Sequence, residues 1–229
     1  MAKTIMIVGF GPGTATAVAE KFGGEGFSVA LIARNEEKLK AGVAALKAEG
    51  VSAFAFRADA SDPDSIRGAI QAVRSQAGPI TILHWNAYTT DAGDLLNADN
   101  AALRGVFDVA VFGLLAAVEE ALPDLKQSGD GALLVSNGGL GEVSPEVDQA
   151  SVQMNVMGLA LSNAAKHKLV GLLAARLKSE GVYVGEVMVY SVIKGTSWDS
   201  GADSVDPKAI AEKYWELYRG RSEIRAAIK

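Results

Sequence analysis

Cysteine is absent from the 229 residues, which excludes disulfides, thiolate nucleophiles and cysteine metal sites. A chain without cysteine fits a reducing compartment, and we expect it in the cytoplasm. Histidine occurs twice, too sparsely for a histidine-built zinc site. No segment reaches about 18 consecutive apolar residues, so no membrane span is expected. The apolar run at 5–8 is too short for a signal-peptide core, and no small-residue cleavage site follows it. The mature chain is therefore expected to start at residue 1. Positive charge is not in excess: 22 Lys and Arg stand against 27 Asp and Glu, for a net charge of −5. With no dense basic cluster, the chain is expected to bind neither nucleic acid nor an anionic membrane surface. No Pro/Gly/Ser-rich linker divides it, and no solenoid-type repeat runs through it.

What is present is ordinary for a globular protein: 49% apolar and 21% charged residues, in a chain long enough to bury a sizeable core. We expect a single domain over 1–229. Short apolar runs rich in β-branched residues alternate with amphipathic stretches. Strands are expected at 5–8, 28–32, 51–56, 80–84, 132–136 and 182–190. Helices are expected at 14–22, 36–49, 66–76, 101–122, 152–178 and 208–218. Leu39, Val43 and Leu46 show the helical spacing, Asp62-Pro63 is a helix start, and Pro123 is expected to end the helix before it. This alternation predicts a Rossmann-type doubly wound parallel sheet with helices on both faces. The strands read as continuous apolar runs, as they should when both faces are covered. Long loops are expected near 138–151 and 195–206. The two long helices are apolar over much of their circumference, with Val111, Leu114, Leu115 and Val118 in excess of one sheet face. A further buried face is expected, hence a homodimer or homotetramer.

The string Val8-Gly9-Phe10-Gly11-Pro12-Gly13-Thr14-Ala15 leaves the first strand and opens the first helix. Glycines at 9, 11 and 13 let the backbone turn tightly and approach a phosphate. The helix start then offers free N–H groups and a partial positive charge. Its position at the head of a βαβ unit makes this a dinucleotide-binding signal, with a turn that binds nothing as the alternative. The second strand ends Ile32-Ala33-Arg34-Asn35. An acidic residue here would favour the ribose hydroxyl of NAD, whereas Arg34 suits a 2′-phosphate. NADP is expected over NAD.

At these residues the chain resembles the short-chain dehydrogenase/reductase family, from Ile5 to about Thr196. The glycine motif is similar to the family's at Gly9, Gly13 and Ala15. Asp59, followed by Ala60, matches the aspartate the family sets near the adenine. Trp85-Asn86-Ala87-Tyr88 stands where the family carries Asn-Asn-Ala-Gly and keeps the middle two residues. The resemblance implies that the turn at 9–14, Arg34, Asp59, Ala60, Asn86 and Ala87 hold the cofactor. The family's catalytic asparagine falls at Ala110 and its serine at Gly138. Counted back without a gap from Leu169, its Tyr-x-x-x-Lys pair falls at Leu159 and Asn163. A competing register at Ser162 and Lys166 needs three residues deleted inside a helix, a rotation of about 300°. We prefer the ungapped one, and neither holds a tyrosine.

The resemblance thus implies an intact adenosine end and an altered nicotinamide end. General acid–base help is worth about 10²–10⁴ in rate, so another proton donor is needed for ordinary turnover. Tyr88, Tyr190, Ser136 and Asn137 end strands where ligands bind, and Asn163 offers an amide to a ribose hydroxyl. His84 reads as a core residue, His167 as part of a solvated helix face, Tyr214 and Trp215 as core, and Trp198 as part of a substrate lid. No catalytic residue is assigned. Three functions stay open: an NADP-dependent oxidoreductase of a small carbonyl or alcohol with a non-standard proton donor, a catalytically inactive cofactor-binding protein, and a non-redox enzyme on the same scaffold. Fold alone does not choose among them.

Overall fold

The computed structural model describes residues 3–201 and 203–229. The expected chain start at residue 1 and Ala202, within the expected loop 195–206, lie outside the described residues. Seven parallel strands are ordered β3-β2-β1-β4-β5-β6-β7. They are β1 Thr4–Val8, β2 Ser28–Ala33, β3 Ala53–Arg57, β4 Ile80–Trp85, β5 Ala132–Gly138, β6 Tyr183–Val189 and β7 Arg225–Ile228. The doubly wound fold is as expected. The order reverses between β1 and β4, and the crevice past their carboxyl ends is where such sheets bind ligands.

Helices α1 Thr14–Gly24, α2 Glu36–Ala48 and α8 Pro207–Gly220 cover one face. Helices α3 Pro63–Gln76, α5 Leu114–Gln127 and α7 Met157–Leu177 cover the other. Polar side chains start most of them. Asn35, Asp62, Asp99, Ser144 and Asp206 cap α2, α3, α4 (Asn100–Phe107), α6 (Pro145–Gln153) and α8, each satisfying amides that a helix start leaves without partners.

Four details depart from the sequence reading. First, Pro123 lies inside α5 and does not end it. Leu125 is buried beyond it, Asp124 is held by Arg74, and Arg74 Nη2 donates to the Glu120 carbonyl at 2.9 Å, in the turn that a proline opens. Second, the expected loop at 138–151 is largely structured: a 3₁₀ turn at Gly139–Gly141, then α6 behind the Ser144-Pro145 start. Third, the expected helix 152–178 is two helices, broken where Asn155 takes a φ of 55°. Fourth, β7 was missed. It is four residues at the sheet edge, alternately exposed.

Between α4 and α5 the chain makes a π-helical turn, Asp108–Gly113. The whole stretch Asn100–Gln127 has the length and apolar content of a membrane span. Its inner stripe of Leu114, Ala117, Val118, Ala121 and Leu125 is packed into the core on the α3 side, and Arg67 and Arg74 of α3 pair with Glu119, Glu120 and Asp124.

Candidate functional site

The turn after β1 is built on glycine for a steric reason. Gly9 and Gly13 have φ of 86° and 84°, a region that costs L-residues dearly. A Cβ on Gly9 would lie 2.5 Å from the Ala87 backbone nitrogen, and one on Gly13 would lie 2.8 Å from Thr196 Cγ2. Gly9 and Phe10 donate to the Ile32 carbonyl at 3.0 and 2.9 Å. Asn86 braces the turn from β4: its Nδ2 donates to the Gly9 carbonyl at 3.1 Å and its amide to Val8 at 2.9 Å. A Cβ on Gly11 would meet nothing within 4 Å, so its surroundings are open. Helix α1 begins on Gly13 with no side-chain cap, unlike the five capped helices above. Thr14 itself is buried, and its helix start is left for an anion.

Arg34 lies at the end of β2, exposed and without an ion pair among the described residues. The neighbouring Arg57 donates to the Arg34 carbonyl at 3.3 Å and lies 3.8 Å from Glu36. Asp59 accepts from the Ser61 amide and hydroxyl at 2.9 and 2.7 Å. Burial acts to raise its carboxyl, but the Ser61 bonds and the charge of Arg34 hold it below the usual carboxylate range. Ala60 presents its carbonyl to the π turn, where a Cβ on Gly113 would come within 2.0 Å of it. The structure thus brings 9–14, Arg34, Asp59, Ala60, Asn86 and Ala87 to the carboxyl edge of the β1, β2, β3 and β4 strands. Pro12 is exposed on this turn.

The other half of the crevice is floored by the end of β5. Asn163 is buried, and its Nδ2 lies 2.8 Å from where a Cβ on Gly138 would be. The amide therefore fills the space of a side chain at 138. Leu159 is half-buried one turn earlier on α7, and Ala110 is buried in the π turn. The Ser162 hydroxyl donates within its own helix to the Leu159 carbonyl at 2.9 Å. Gly139 is capped by the Tyr190 ring: a Cβ there would lie 2.4 Å from Tyr190 Cδ1. Tyr190 is 42% exposed; burial and then the Glu142 carboxylate push its phenol up. Tyr88 and Trp198 are exposed.

His84 is the core residue expected. Its Nε2 lies 3.1 Å from Ser136 Oγ, to which Tyr214 also donates at 2.8 Å. Ser136 is thus committed to the layer below the crevice. Burial pushes the His84 imidazole down to about 3. Tyr214 is core, and Trp215 packs edge-on against Phe22.

His167 does not sit on a solvated face. Its Nδ1 lies 2.8 Å from Glu186 Oε2, a carboxylate with no solvent exposure. Glu186 continues the row of facing positions Val8, Trp85 and Val135 across β1, β4 and β5, and Arg225 extends the row onto β7. Arg225 Nε donates to Glu186 Oε2 at 3.2 Å, and Asn137 Nδ2 donates to Oε1 at 2.7 Å. Asn137 also donates to the Asn163 carbonyl at 3.0 Å and accepts from the Gly138 amide at 3.1 Å. The buried carboxylate thereby ties the floor of the crevice to α7. Lys166, one helical turn from Asn163 on the same inner stripe, is 3% exposed. Among the described residues it makes no hydrogen bond. Burial lowers its ammonium to about 8, with Glu186 opposing. Sequence reasoning missed this cluster. Its one linear signal was a glutamate in the middle of an apolar strand.

The short chain dehydrogenase family model matches residues 3–196. The chain is 28% identical over 167 residues to the 3-oxoacyl-(acyl-carrier-protein) reductase FabG of Staphylococcus aureus, covering 72% of this chain and 68% of that one. The L-sorbose reductase of Gluconobacter frateurii, complexed with NADPH and L-sorbose, superposes with a TM-score of 0.87 at 18% identity, covering 100% of this chain and 96% of that one. An NADPH-bound short chain oxidoreductase of Pseudomonas aeruginosa PAO1, described as containing an atypical catalytic center, superposes with a TM-score of 0.83 at 19% identity over 99% and 97% of the two chains.

Proposed function

This chain belongs to the short-chain dehydrogenase family, and from that premise we propose that it is an NADP-dependent oxidoreductase of a small carbonyl or alcohol that works without a tyrosine proton donor. The observation that carries the reading is the pairing of the uncapped α1 start with an unpaired Arg34. Gly9, Gly11, Pro12, Gly13 and Thr14 would hold the pyrophosphate, with open space at Gly11 for its approach. Arg34 would take the 2′-phosphate. Asp59 and Ala60 would border the adenine, Asn86 and Ala87 would brace the turn, and Asn163 would face the ribose. When bound, the cofactor supplies or accepts hydride. NAD is the weaker fit, because no carboxylate ends β2.

The proton chemistry has to come from elsewhere than the family's usual positions. In the ungapped register those positions hold Ala110, Gly138, Leu159 and Asn163, of which none carries a titratable proton. The Asn163 amide in the space beside Gly138 also favours a second reading, a protein that binds the cofactor without turnover. Phe112, Leu161 and Leu172 are exposed on the long helices, and we expect them to be covered in a homodimer or homotetramer. Calorimetric titration with NADPH and NADH, followed by turnover on a panel of carbonyl compounds, tests the function. Binding with turnover supports the oxidoreductase. Binding without turnover favours the second reading, and no binding of either nucleotide refutes both.

A further inference from the structure

We infer that the substrate of this crevice is an organic cation with an apolar body, a protonated or N-alkylated imine, and that Tyr190 and Glu142 recognise its charge. The inference rests on the hydride chemistry proposed above and names the substrate class for it.

The side-chain protons at the crevice floor are already committed. Ser136 Oγ is held between His84 Nε2 at 3.1 Å and the Tyr214 hydroxyl at 2.8 Å. The Asn137 amide donates to Glu186 Oε1 at 2.7 Å and to the Asn163 carbonyl at 3.0 Å. The Ser162 hydroxyl donates to the Leu159 carbonyl at 2.9 Å. A neutral carbonyl that takes hydride becomes an alkoxide and needs a proton. An iminium ion needs none. Its carbon takes hydride from the reduced cofactor, the electron pair of the C=N bond moves onto nitrogen, and a neutral amine is the product. Where the substrate is a protonated imine, that proton came from water before binding.

Recognition of the charge falls to the residues beside the floor. The Glu142 amide donates to the Gly139 carbonyl at 3.0 Å, which closes the 3₁₀ turn Gly139–Gly141. The Tyr190 ring stands on the same glycine, where a Cβ would lie 2.4 Å from its Cδ1. Both side chains are exposed, and the Glu142 carboxylate acts on the Tyr190 phenol. An aromatic ring and a carboxylate set against one glycine, next to Gly138, attract an organic cation: the ring through its face, the carboxylate through its charge.

The wider mouth has the same character. It is formed by residues 88–99 after β4, 139–156 after β5 and 190–206 after β6. The first segment joins the start of α7, where the Ala92 and Gly93 carbonyls accept from the Gly158 and Met157 amides at 2.9 Å. The third closes on the turn at Gly13 through Thr196. Together the three segments hold nine carboxylates and one cation, Lys194. Their exposed apolar side chains include Tyr88, Leu96, Val143, Met154 and Trp198. Apolar surface ringed by one sign of charge selects an apolar body that bears the opposite sign, and disfavours an anion.

The test uses the full-length protein, NADPH and two bicyclic probes of similar size: the N-methyl-3,4-dihydroisoquinolinium ion and the neutral ketone 1-tetralone. The first carries its charge at every pH and has no proton on nitrogen. After subtraction of the rate without protein, kcat/KM for the iminium ion should exceed that for the ketone at least 100-fold. Glu142→Gln should raise KM for the iminium ion at least threefold, with kcat and the calorimetric affinity for NADPH within threefold of wild type. A smaller preference for the iminium ion, or no turnover of it by protein that calorimetry shows to bind NADPH, overturns the inference. A smaller rise in KM overturns the role given to Glu142. Absence of NADPH binding in the wild type overturns the function on which the inference rests.

Discussion

Replacing Lys166 with methionine should make the folded protein more stable at neutral pH. The ordinary lysine value of 10.5 is lowered to about 8 by burial; at about 1.4 kcal/mol per pH unit, the folded state disfavours this charge by about 3 kcal/mol. Below pH 8 the folded and unfolded chains both carry the proton, and the folded chain bears the whole cost. Between pH 8 and 10.5 the unfolded chain holds a proton that the folded chain has released, so stability rises with pH. Above 10.5 the cost is gone. Methionine has nearly the same length and no charge, so little packing is lost. Urea unfolding of both proteins at pH 7, 8, 9 and 10 isolates the term, because every other titrating group is common to both. The variant should be more stable by up to about 3 kcal/mol at pH 7, and the gap should narrow steadily toward pH 10. A gap that stays constant with pH, or a less stable variant at pH 7, would refute the reasoning.

His84 gives a slope of the same sign in the acid range. Its imidazole is pushed from 6.5 down to about 3, so stability should fall as pH drops through 6.5 toward 3, where the unfolded chain takes a proton that the folded one refuses. Urea unfolding of His84→Gln should show a shallower acid dependence, by about 3 kcal/mol between pH 6.5 and 4. Equal slopes would count against it. Gly138→Ser should destabilise, because its Cβ meets the Asn163 amide at 2.8 Å; Asn163→Ala should relieve this, with a coupling of about 1–2 kcal/mol in a double-mutant cycle. An additive pair would mean that the two positions do not touch. The triple variant Gly138→Ser, Leu159→Tyr, Asn163→Lys should gain or raise carbonyl reduction if the ungapped register is correct. No gain in a folded variant that binds nucleotide would sink that register.

The alternation of strands and helices was legible because each apolar run is flanked by a helix start such as Asn35 or Asp62-Pro63. The turn at 9–13 was legible because glycine is forced there by φ and by the close approach of Ala87. Helix α6 was hidden by its polar composition, although Ser144-Pro145 marks its start. Pro123 misled because tertiary contacts carry the helix through it: Arg74 holds Asp124 and the Glu120 carbonyl, and Leu125 is buried beyond it. Strand β7 is too short and too exposed to show a pattern of its own. The charged cluster was illegible for a different reason. Asn137, Lys166, Glu186 and Arg225 are separated by about 20 to 40 residues in sequence, and only the packing of α7 over β5 and β6 brings them together. Read along the chain, Lys166, His167 and Lys168 are one basic run on a helix. Folded, the first is buried and the second serves a carboxylate.

The central claim is that the crevice binds a 2′-phosphorylated dinucleotide. Calorimetric titration of the cofactor-free protein with NADPH and with NADH, for the wild type and Arg34→Ala, tests it directly. The account predicts micromolar binding of NADPH, at least tenfold tighter than NADH, with the preference removed by Arg34→Ala and NADH affinity unchanged. Binding of neither nucleotide by a folded wild-type protein would contradict it.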